Sequence, residues 1–309
     1  MVAMMRMDKA FYDLKFDHEF QSKNGNEFQS FFNQIMMARY PGDFIATYPW
    51  GQDGDQKCDG YRLSTGTFYQ VYAPYEMNKS TTTRKMREDF DGALEIWGDK
   101  IKTWVFVHNA IRGNPPHVVQ QLVDFGKEHP QITFLAVGKD EIKSCLFELK
   151  DDSIRQILGP IPTYEDINNL SMEAIKITVL NIHKFTNSKD PAPIPITPVS
   201  PEKLKANGLS EAAKKLFEIG IGKSNLVEDF FRQWHEPQLA ANTATEMNRL
   251  YTTTRDEYSD SDEMFSKIME TICGSSEYKP DTMIAALAIM AYFFQTCDIF
   301  ENPREDEVT

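Results

Sequence analysis

The stretch WGQDGDQKCDGYRLSTGTFYQVYAP, at residues 50–74, constrains the fold of the N-terminal half more than any other part of the chain. Its pattern predicts a glycine and aspartate loop, a short strand over residues 57–63, a turn, and a returning strand over residues 67–73. A hairpin of this kind places Asp59 and Gln70 on neighbouring strands, where facing side chains meet if the register agrees. The stretch therefore predicts a candidate metal site.

The residues of this hairpin resemble the core of restriction-endonuclease-like nucleases of the Mrr branch, which have an Asp-Gly pair followed by a strand with Gln-x-Lys. The resemblance implies that Glu27, on a preceding helix, surrounds a divalent cation together with Asp59 and Gln70. The implied cation is Mg²⁺, or Mn²⁺, and the implied substrate is DNA. Magnesium prefers hard oxygen ligands and keeps some of its waters, one of which can become the nucleophile.

Tyr72 occupies the position at which the family has a lysine that helps to activate water. Lys57 lies two residues before Asp59, so a strand with a period of two projects both side chains to one face. Lys57 is therefore the preferred substitute, and Lys79 or Lys85 can arrive from the next helix. Each of these lysines also fits the ordinary interpretation of a solvated surface residue.

Each acidic or amide residue of this region also has an ordinary structural interpretation. Glu27 stands in the first turn of a predicted helix, where the helix dipole favours a carboxylate. Asp53 and Asp55 fit common turn chemistry. Gln70 fits a buried amide that is satisfied by backbone groups, and Asp59 fits an acceptor for backbone amides of the loop. Aspartate is disfavoured within strands, so Asp59 is the stronger functional candidate.

The element order of the first half predicts an α/β domain with a mixed central sheet flanked by helices, which is consistent with the restriction-endonuclease-like core. Amphipathic helices are predicted over residues 24–40 and 81–97, and nearly continuous apolar runs predict buried strands at residues 103–109 and 131–138. With a further helix between these two strands, the order is α, β, β, β, α, β, α, β. His108 and Asn109 end the first of these runs, where open sheets often carry site residues.

The net charge of −13 argues against strong DNA binding by the chain alone, because phosphate-binding surfaces are usually basic. A basic cluster nevertheless follows the hairpin, at Lys79, Arg84, Lys85 and Arg87. The four cysteines are widely spaced and include no CxxC pair, which favours reduced thiols in a cytoplasmic protein over a zinc site. Residues 283–294 form the most apolar stretch, which is too short to cross a bilayer and predicts a buried helix.

The second half predicts an all-α domain after a linker. Five prolines at residues 191–201 exclude a helix and predict an extended segment. The predicted division is a nuclease domain at 1–160, a helix and proline-rich linker at 161–200, and a helical domain at 201–309 for partner binding or oligomerisation. The string GIGKS follows a helix instead of a buried strand, which favours an interhelical turn over a phosphate loop.

The segments NGLS and GIGKSNLVEDFF, together with the ending ALAIMAYFFQTCDIFENP, resemble the C-terminal helical modules of ABC-three-component defence proteins. This resemblance implies control by an SMC-like or ABC-type ATPase, possibly with a third small subunit, in a homo-oligomer or hetero-complex without a membrane. Aromatic residues of this half, among them Phe230, Phe231, Tyr292 and Phe293, are expected to form part of an interface.

Two functions are consistent with these features. One is a metal-dependent DNA endonuclease effector of an anti-phage system, with Glu27, Asp59 and Gln70 as metal ligands and Lys57 as the catalytic cation. The alternative is a catalytically inactive endonuclease-like subunit that acts as a DNA-binding or assembly scaffold.

Overall fold

The computed structural model describes residues 6–48, 57–184, 208–274 and 279–296 of the chain. These residues form two compact units. One unit comprises residues 19–159, and the other combines the described residues of 1–18 and of 160–309. The proline-rich run at residues 191–201, Asp53, Asp55 and Cys297 lie outside the described residues.

The first unit contains a five-stranded mixed sheet with helices on both faces. The strands lie in the order β1-β2-β3-β4-β5, with β1, β2 and β3 antiparallel and β3, β4 and β5 parallel. Their bounds are β1 Phe44–Ala46, β2 Gly60–Arg62, β3 Thr67–Tyr72, β4 Thr103–His108 and β5 Thr133–Val137. The helices are α1 Arg6–Ser22, which begins in the second unit, α2 Gly25–Arg39, α3 Lys79–Trp97, α4 Pro116–Glu128, α5 Lys139–Phe147 and α6 Asp151–Leu158.

From α2 to β5 the elements follow the predicted order α, β, β, β, α, β, α, β. The α/β class and the mixed sheet are therefore confirmed. Two details differ. Strand β2 begins only at Gly60, three residues later than predicted. Strand β5 is the last strand of the sheet and Leu135 is 47% exposed, so the prediction of a fully buried strand at 131–138 was wrong.

The main core of this unit lies between the sheet and helices α3 and α4. Trp104 and Phe106 of β4 are fully buried there, together with Phe90 of α3 and Phe125 of α4. Phe68 of β3 joins the same cluster. On the other face, Phe32 of α2 packs against Tyr69, with ring centroids 5.7 Å apart. Successive residues of β3 thus alternate between an α3 face and an α2 face of the sheet.

The second unit is helical throughout its described part. Its helices, beyond the first part of α1, are α7 Tyr164–Asn168, α8 Met172–Lys184, α9 Glu211–Ile221, α10 Ser224–Gln233, α11 Leu239–Glu257, α12 Ser261–Cys273 and α13 Pro280–Thr296. Helix α13 packs against α8, α9, α10 and α12. It is apolar on all sides and almost wholly buried, as a central helix must be. The prediction of a buried helix at residues 283–294 is confirmed, and none of the described helices is long and apolar enough to cross a membrane.

Candidate functional site on the two faces of strand β3

Asp59 stands at a β-bulge immediately before β2. Gly60 is in register with Tyr69 of β3, and the Asp59 amide also donates to the Tyr69 carbonyl at 3.0 Å. Two successive residues therefore face one residue of the partner strand, which is the definition of a bulge. In keeping with one extra residue, Cys58 and Tyr61 both pack against the core on the α3 face although they are three positions apart. The bulge turns the Asp59 side chain to the α2 face.

The Asp59 carboxylate joins helix α2 to strand β3. Only 4% of Asp59 is exposed. Its Oδ1 accepts a hydrogen bond from Gln29 Nε2 at 2.9 Å, and its Oδ2 accepts one from the Val71 amide at 2.7 Å. Hydrogen bonds to both oxygens favour the ionised form of a buried carboxylate. The carboxylate thus accepts from a backbone amide, as the structural interpretation of Asp59 expected. The amide belongs to Val71 of β3, however, and not to the loop before Asp59.

Gln70 projects to the opposite, α3 face of the sheet. It lies in register with Phe106, between Phe68 and Tyr72 along its own strand. Phe106, Phe68 and Tyr72 all pack in the cluster on the α3 face. Gln70 is 5% exposed, and its Oε1 atom has no hydrogen-bond partner. An unsatisfied buried acceptor costs on the order of 1–3 kcal/mol, so this amide is not a well-satisfied core residue.

Glu27 lies at the surface in the first turn of α2. It precedes Gln29 by two residues, so the two side chains leave the helix about 200° apart. Gln29 is the α2 side chain that contacts Asp59, and Glu27 projects elsewhere. The structure thus brings Gln29 to Asp59 and separates both from Gln70 by the sheet. Glu27, Asp59 and Gln70 in this arrangement do not fit the coordination of one magnesium ion.

No group of three or more His, Cys, Asp or Glu side chains suited to a metal occurs among the described residues. The three described cysteines, Cys58, Cys145 and Cys273, form no disulfide with one another.

Lys57 contacts helix α3 instead of Asp59. Its backbone has a φ of 60°, so the residue lies in a turn with a left-handed conformation, and alternation along a strand does not apply to it. Its Nζ lies 3.1 Å from Oδ1 of Asp89. The aliphatic part of the side chain passes over Gly92, where an added Cβ would lie 3.0 Å from Lys57 Cγ. The prediction that Lys57 shares the Asp59 face was wrong, because it assumed a continuous strand.

Asp89 holds two lysines on one carboxylate oxygen. Its side chain is fully buried, and Oδ1 accepts from Lys57 and, at 2.7 Å, from Lys85 one turn earlier in α3. The other oxygen, Oδ2, is buried without a hydrogen-bond partner. We call Lys57, Lys85 and Asp89 the lysine–aspartate cluster. Sequence reasoning considered Lys85 but missed Asp89, although their i, i+4 spacing on a predicted helix was a usable signal.

Both arginines of α3, Arg84 and Arg87, pair with carboxylates. Arg84 pairs with Glu88 at 2.7 Å. Arg87 binds both carboxylate oxygens of Glu128, at 2.6 and 2.9 Å. This pairing raises the pKa of Arg87 and lowers the pKa of Glu128. Three of the four residues of the basic cluster predicted after the hairpin, Arg84, Lys85 and Arg87, are therefore paired with carboxylates.

His108 ends strand β4 as a fully satisfied core residue. The Ala110 amide donates to its Nδ1 at 3.2 Å, so the proton is on Nε2, which donates to Asn114 Oδ1 at 2.8 Å. Burial lowers the pKa of His108. The neighbouring Asn109 donates to Asn24 Oδ1 and to the Pro74 carbonyl, each at 3.0 Å. His108 thus holds the loop that follows β4, and Asn109 links that loop to the segment that follows β3.

The second unit has a cleft between α8 and the end of α10. Its volume is about 330 Å³, and it is lined by Met172, Glu173, Lys176, Phe230, Gln233 and Trp234. The exposed face of α8 carries three apolar side chains, Met172, Ile177 and Leu180, that are 40–46% exposed. We call these three residues the α8 stripe.

The aromatic residues expected at an interface are mostly inside the bundle. Phe230, Phe293 and Phe294 are at most 5% exposed, because they pack around α13. Phe231 and Tyr292 are only partly buried, so an interface formed by some of these aromatic residues stays a prediction. More exposed apolar side chains of this unit lie on α7, at Tyr164, and on α8. Gly220 and Gly222 lie at the junction of α9 and α10, which confirms an interhelical turn at GIGKS.

Residues 177–301 match the family model of C-terminal domain 10 of the ABC-three-component (ABC-3C) systems. The matched region includes most of α8 and all the helices that follow it. No curated protein and no solved structure matches the chain. The comparison therefore shows what residues 177–301 are similar to. The α/β unit is interpreted from its own residues.

Proposed function

We propose that the chain is a subunit of an ABC-three-component anti-phage defence system. In this subunit, the helical unit mediates assembly with an ABC-type ATPase. The α/β unit is a restriction-endonuclease-like fold that binds nucleic acid without the predicted metal centre. The match of residues 177–301 supports the assembly role, and the element order from α2 to β5 supports the fold.

The proposal that the predicted metal centre is missing rests on one observation, which is that the sheet separates the predicted site residues. Asp59 is held on the α2 face by Gln29 and the Val71 amide. Gln70 projects to the α3 face, and Lys57 is bound to Asp89. Tyr72 takes the place of the family's lysine. A metal-dependent nuclease needs its oxygen ligands on one cation, and these residues do not meet that condition.

The test compares cleavage with binding for the full-length chain. Plasmid DNA is incubated with magnesium or manganese, with and without the ATPase, and duplex binding is measured separately in EDTA. We expect DNA binding and co-purification with the ATPase but no cleavage under any of these conditions. Metal-dependent cleavage that survives further purification would overturn the proposal.

Metal-dependent endonuclease activity is the second candidate, and one observation favours it. Gln70 Oε1 and Asp89 Oδ2 are both buried acceptors without partners, and both belong to the α3 side of the sheet. Such acceptors suit a hard cation, although the two lysines on Asp89 oppose one electrostatically. On this hypothesis Gln70→Ala abolishes cleavage, whereas Glu27→Ala leaves it unchanged. Equal cleavage by wild-type protein and Gln70→Ala would eliminate this site.

A further inference from the structure

We propose that the outer edge of strand β5, together with the adjoining flank of helix α4, is the interface between two copies of this chain related by a two-fold axis. We call the surface formed by Val119, Val123 and Leu135 the β5–α4 edge. The inference goes beyond the proposed function, because it concerns how two copies of the chain pair and not what either copy binds.

Strand β5 leaves its outer edge open. Among the described residues it pairs only with β4. The Thr133 amide donates to the Lys102 carbonyl on the β4 side, so alternation directs the backbone groups of Phe134 and Ala136 outward. Leu135, between them, is 47% exposed. The strand has none of the charged residues, prolines or bulges by which edge strands usually avoid association, so it is open to an added strand.

Helix α4 adds apolar side chains beside this edge. Arg87 of α3 binds Glu128, so Glu128 lies on the side of α4 that faces α3. At about 100° per residue, Val119 and Val123 lie about 140–180° around the helix from Glu128. They are 44% and 50% exposed. Because α3 connects β3 to β4 and α4 connects β4 to β5 on the same face, the flank away from α3 is the one beside the outer edge of β5.

The α4 side chains and Leu135 lie at the same level. The rings of Phe125 and Phe134 are 5.5 Å apart, which fixes α4 against β5. Helix α4 runs antiparallel to β5, because it connects two parallel strands. Val123 lies about 3 Å back along the helix from Phe125, and Leu135 lies about 3.3 Å onward along the strand from Phe134. Both shifts have the same direction, so a two-fold axis beside Leu135 also passes beside Val123.

The outward backbone groups of β5 match those of a second copy. When two β5 strands pair antiparallel about an axis at Leu135, Phe134 of each copy lies opposite Ala136 of the other. The outward N–H and C=O groups of these residues then face one another, as in a hydrogen-bonded pair. The two Leu135 side chains lie directly opposite each other on one face of the joined sheet.

The position of α4 favours a second copy over an isolated peptide strand. The Phe125 ring lies 5.9 Å from that of Trp104 in β4 and 5.5 Å from that of Phe134 in β5, so α4 lies about midway between the strands. With strands about 4.8 Å apart, the α4 axes of two copies are then about 10 Å apart. Packed helices are about 8–10 Å apart, so the α4 flanks meet. A single added strand would leave Val119 and Val123 exposed.

Gly126 leaves room for this helix contact. It lies about 160° around α4 from Glu128, on the same flank as Val119 and Val123. A Cβ at Gly126 would meet no atom of another element within 4 Å, so the flank is open at this point. The absence of a side chain lets a second helix approach closely there.

Light scattering of the full-length chain, over a range of protein concentrations, gives its mass in solution. The variants are Leu135→Lys and Val123→Asp, each of which places a charge at the proposed axis. Ile45→Lys is the matched control for the first, since Ile45 is the middle residue of the opposite edge strand and is 48% exposed. Ile96→Asp, on α3 at 49% exposure, is the control for the second. Unfolding curves verify that each variant is folded.

We expect a dimer for the wild-type chain and for both controls. Each charge at the axis should raise the dimer dissociation constant at least about tenfold, which corresponds to about 1.4 kcal/mol, because two like charges are buried against each other. A wild-type chain that stays monomeric over the whole range overturns the inference, and so does a dimer that both folded charge variants retain. A wild-type monomer bound to a second protein that Val123→Asp releases assigns the edge to that protein and also overturns it.

A cysteine at the axis tests the register. Leu135→Cys places two thiols at opposed residues whose Cα atoms are about 4.5 Å apart, within the range of a disulfide. Mild oxidation should join two chains of Leu135→Cys, as a non-reducing gel shows, and should join Ile45→Cys no more than the wild-type chain. A folded Leu135→Cys that forms no more cross-link than Ile45→Cys would contradict the inference.

Discussion

At the scale of single residues, one inserted position decides which candidates can act together. Asp59 and Gly60 both face Tyr69, and this bulge sends Asp59 to the α2 face while Gln70 stays on the α3 face. Because side chains of a strand alternate with a period of two, one extra residue exchanges the faces of everything before it. Lys57, in a left-handed turn before the bulge, binds Asp89 instead.

Asp59→Ala should lower the free energy of unfolding by about 1–3 kcal/mol, because it leaves the partly buried Val71 amide without an acceptor. Asp59→Asn keeps one acceptor oxygen and should lose less. Chemical denaturation of both variants measures the difference. An unchanged unfolding free energy in Asp59→Ala would show that the carboxylate does not have this structural role.

His108 should make the protein less stable below about pH 6.5. Burial lowers its pKa from the usual 6.5, so on acidification the unfolded chain binds a proton before the folded chain does. The free energy of unfolding therefore falls as the pH drops below 6.5, until the pH reaches the folded pKa.

Urea denaturation of wild-type protein and His108→Gln at several pH values between about 7.5 and 5 tests this point. The variant should show a shallower pH dependence, whatever its absolute stability. Identical slopes for wild-type protein and His108→Gln would contradict the prediction.

At the scale of elements, the helical unit depends on the close approach of α9 to α13. Gly220 of α9 lies directly against the backbone of α13, at the Leu287 carbonyl group. A side chain at this point would force the two helices apart, and α13 is the helix around which the unit is packed. The glycine is therefore required by helix packing instead of by a phosphate loop.

Gly220→Ala should destabilise the protein by about 1–3 kcal/mol, because the added methyl group collides with backbone atoms of α13 that cannot turn aside. Gly222→Ala is the matched control. Its Cβ would meet only carbonyl oxygens at 3.5 and 3.6 Å, and its backbone is helical. Thermal melts should show a clear decrease for the first variant and little change for the second; equal melting temperatures would refute the packing argument.

At the scale of the whole molecule, each unit has a different kind of surface. The α/β unit holds two lysines on one buried carboxylate at the lysine–aspartate cluster. The helical unit buries Phe230, Phe293 and Phe294 and exposes the α8 stripe, which includes a residue of the cleft. Exposed apolar side chains grouped beside a cleft are typical of association sites.

Leu180→Asp should weaken co-purification with the proposed ATPase partner, because a charge in the α8 stripe opposes burial against another protein. Ile96→Asp, at a comparably exposed position in the α/β unit, is the control and should retain the partner. Light scattering reports any self-association in parallel. Undiminished complex formation by Leu180→Asp would exclude the stripe from the interface.

The sequence by itself determined the type and order of most elements, because hydrophobic periodicity records which side of each helix or strand is buried. It also determined the central position of α13, since a helix apolar on all sides has to be enclosed. The separation of Asp59 from Gln70 and the meeting of Lys57, Lys85 and Asp89 were decided only by the tertiary structure. Neighbouring elements set the bulge at Asp59, the left-handed turn at Lys57 and the space above Gly92. Contacts between residues far apart in the chain leave no periodic pattern in the sequence.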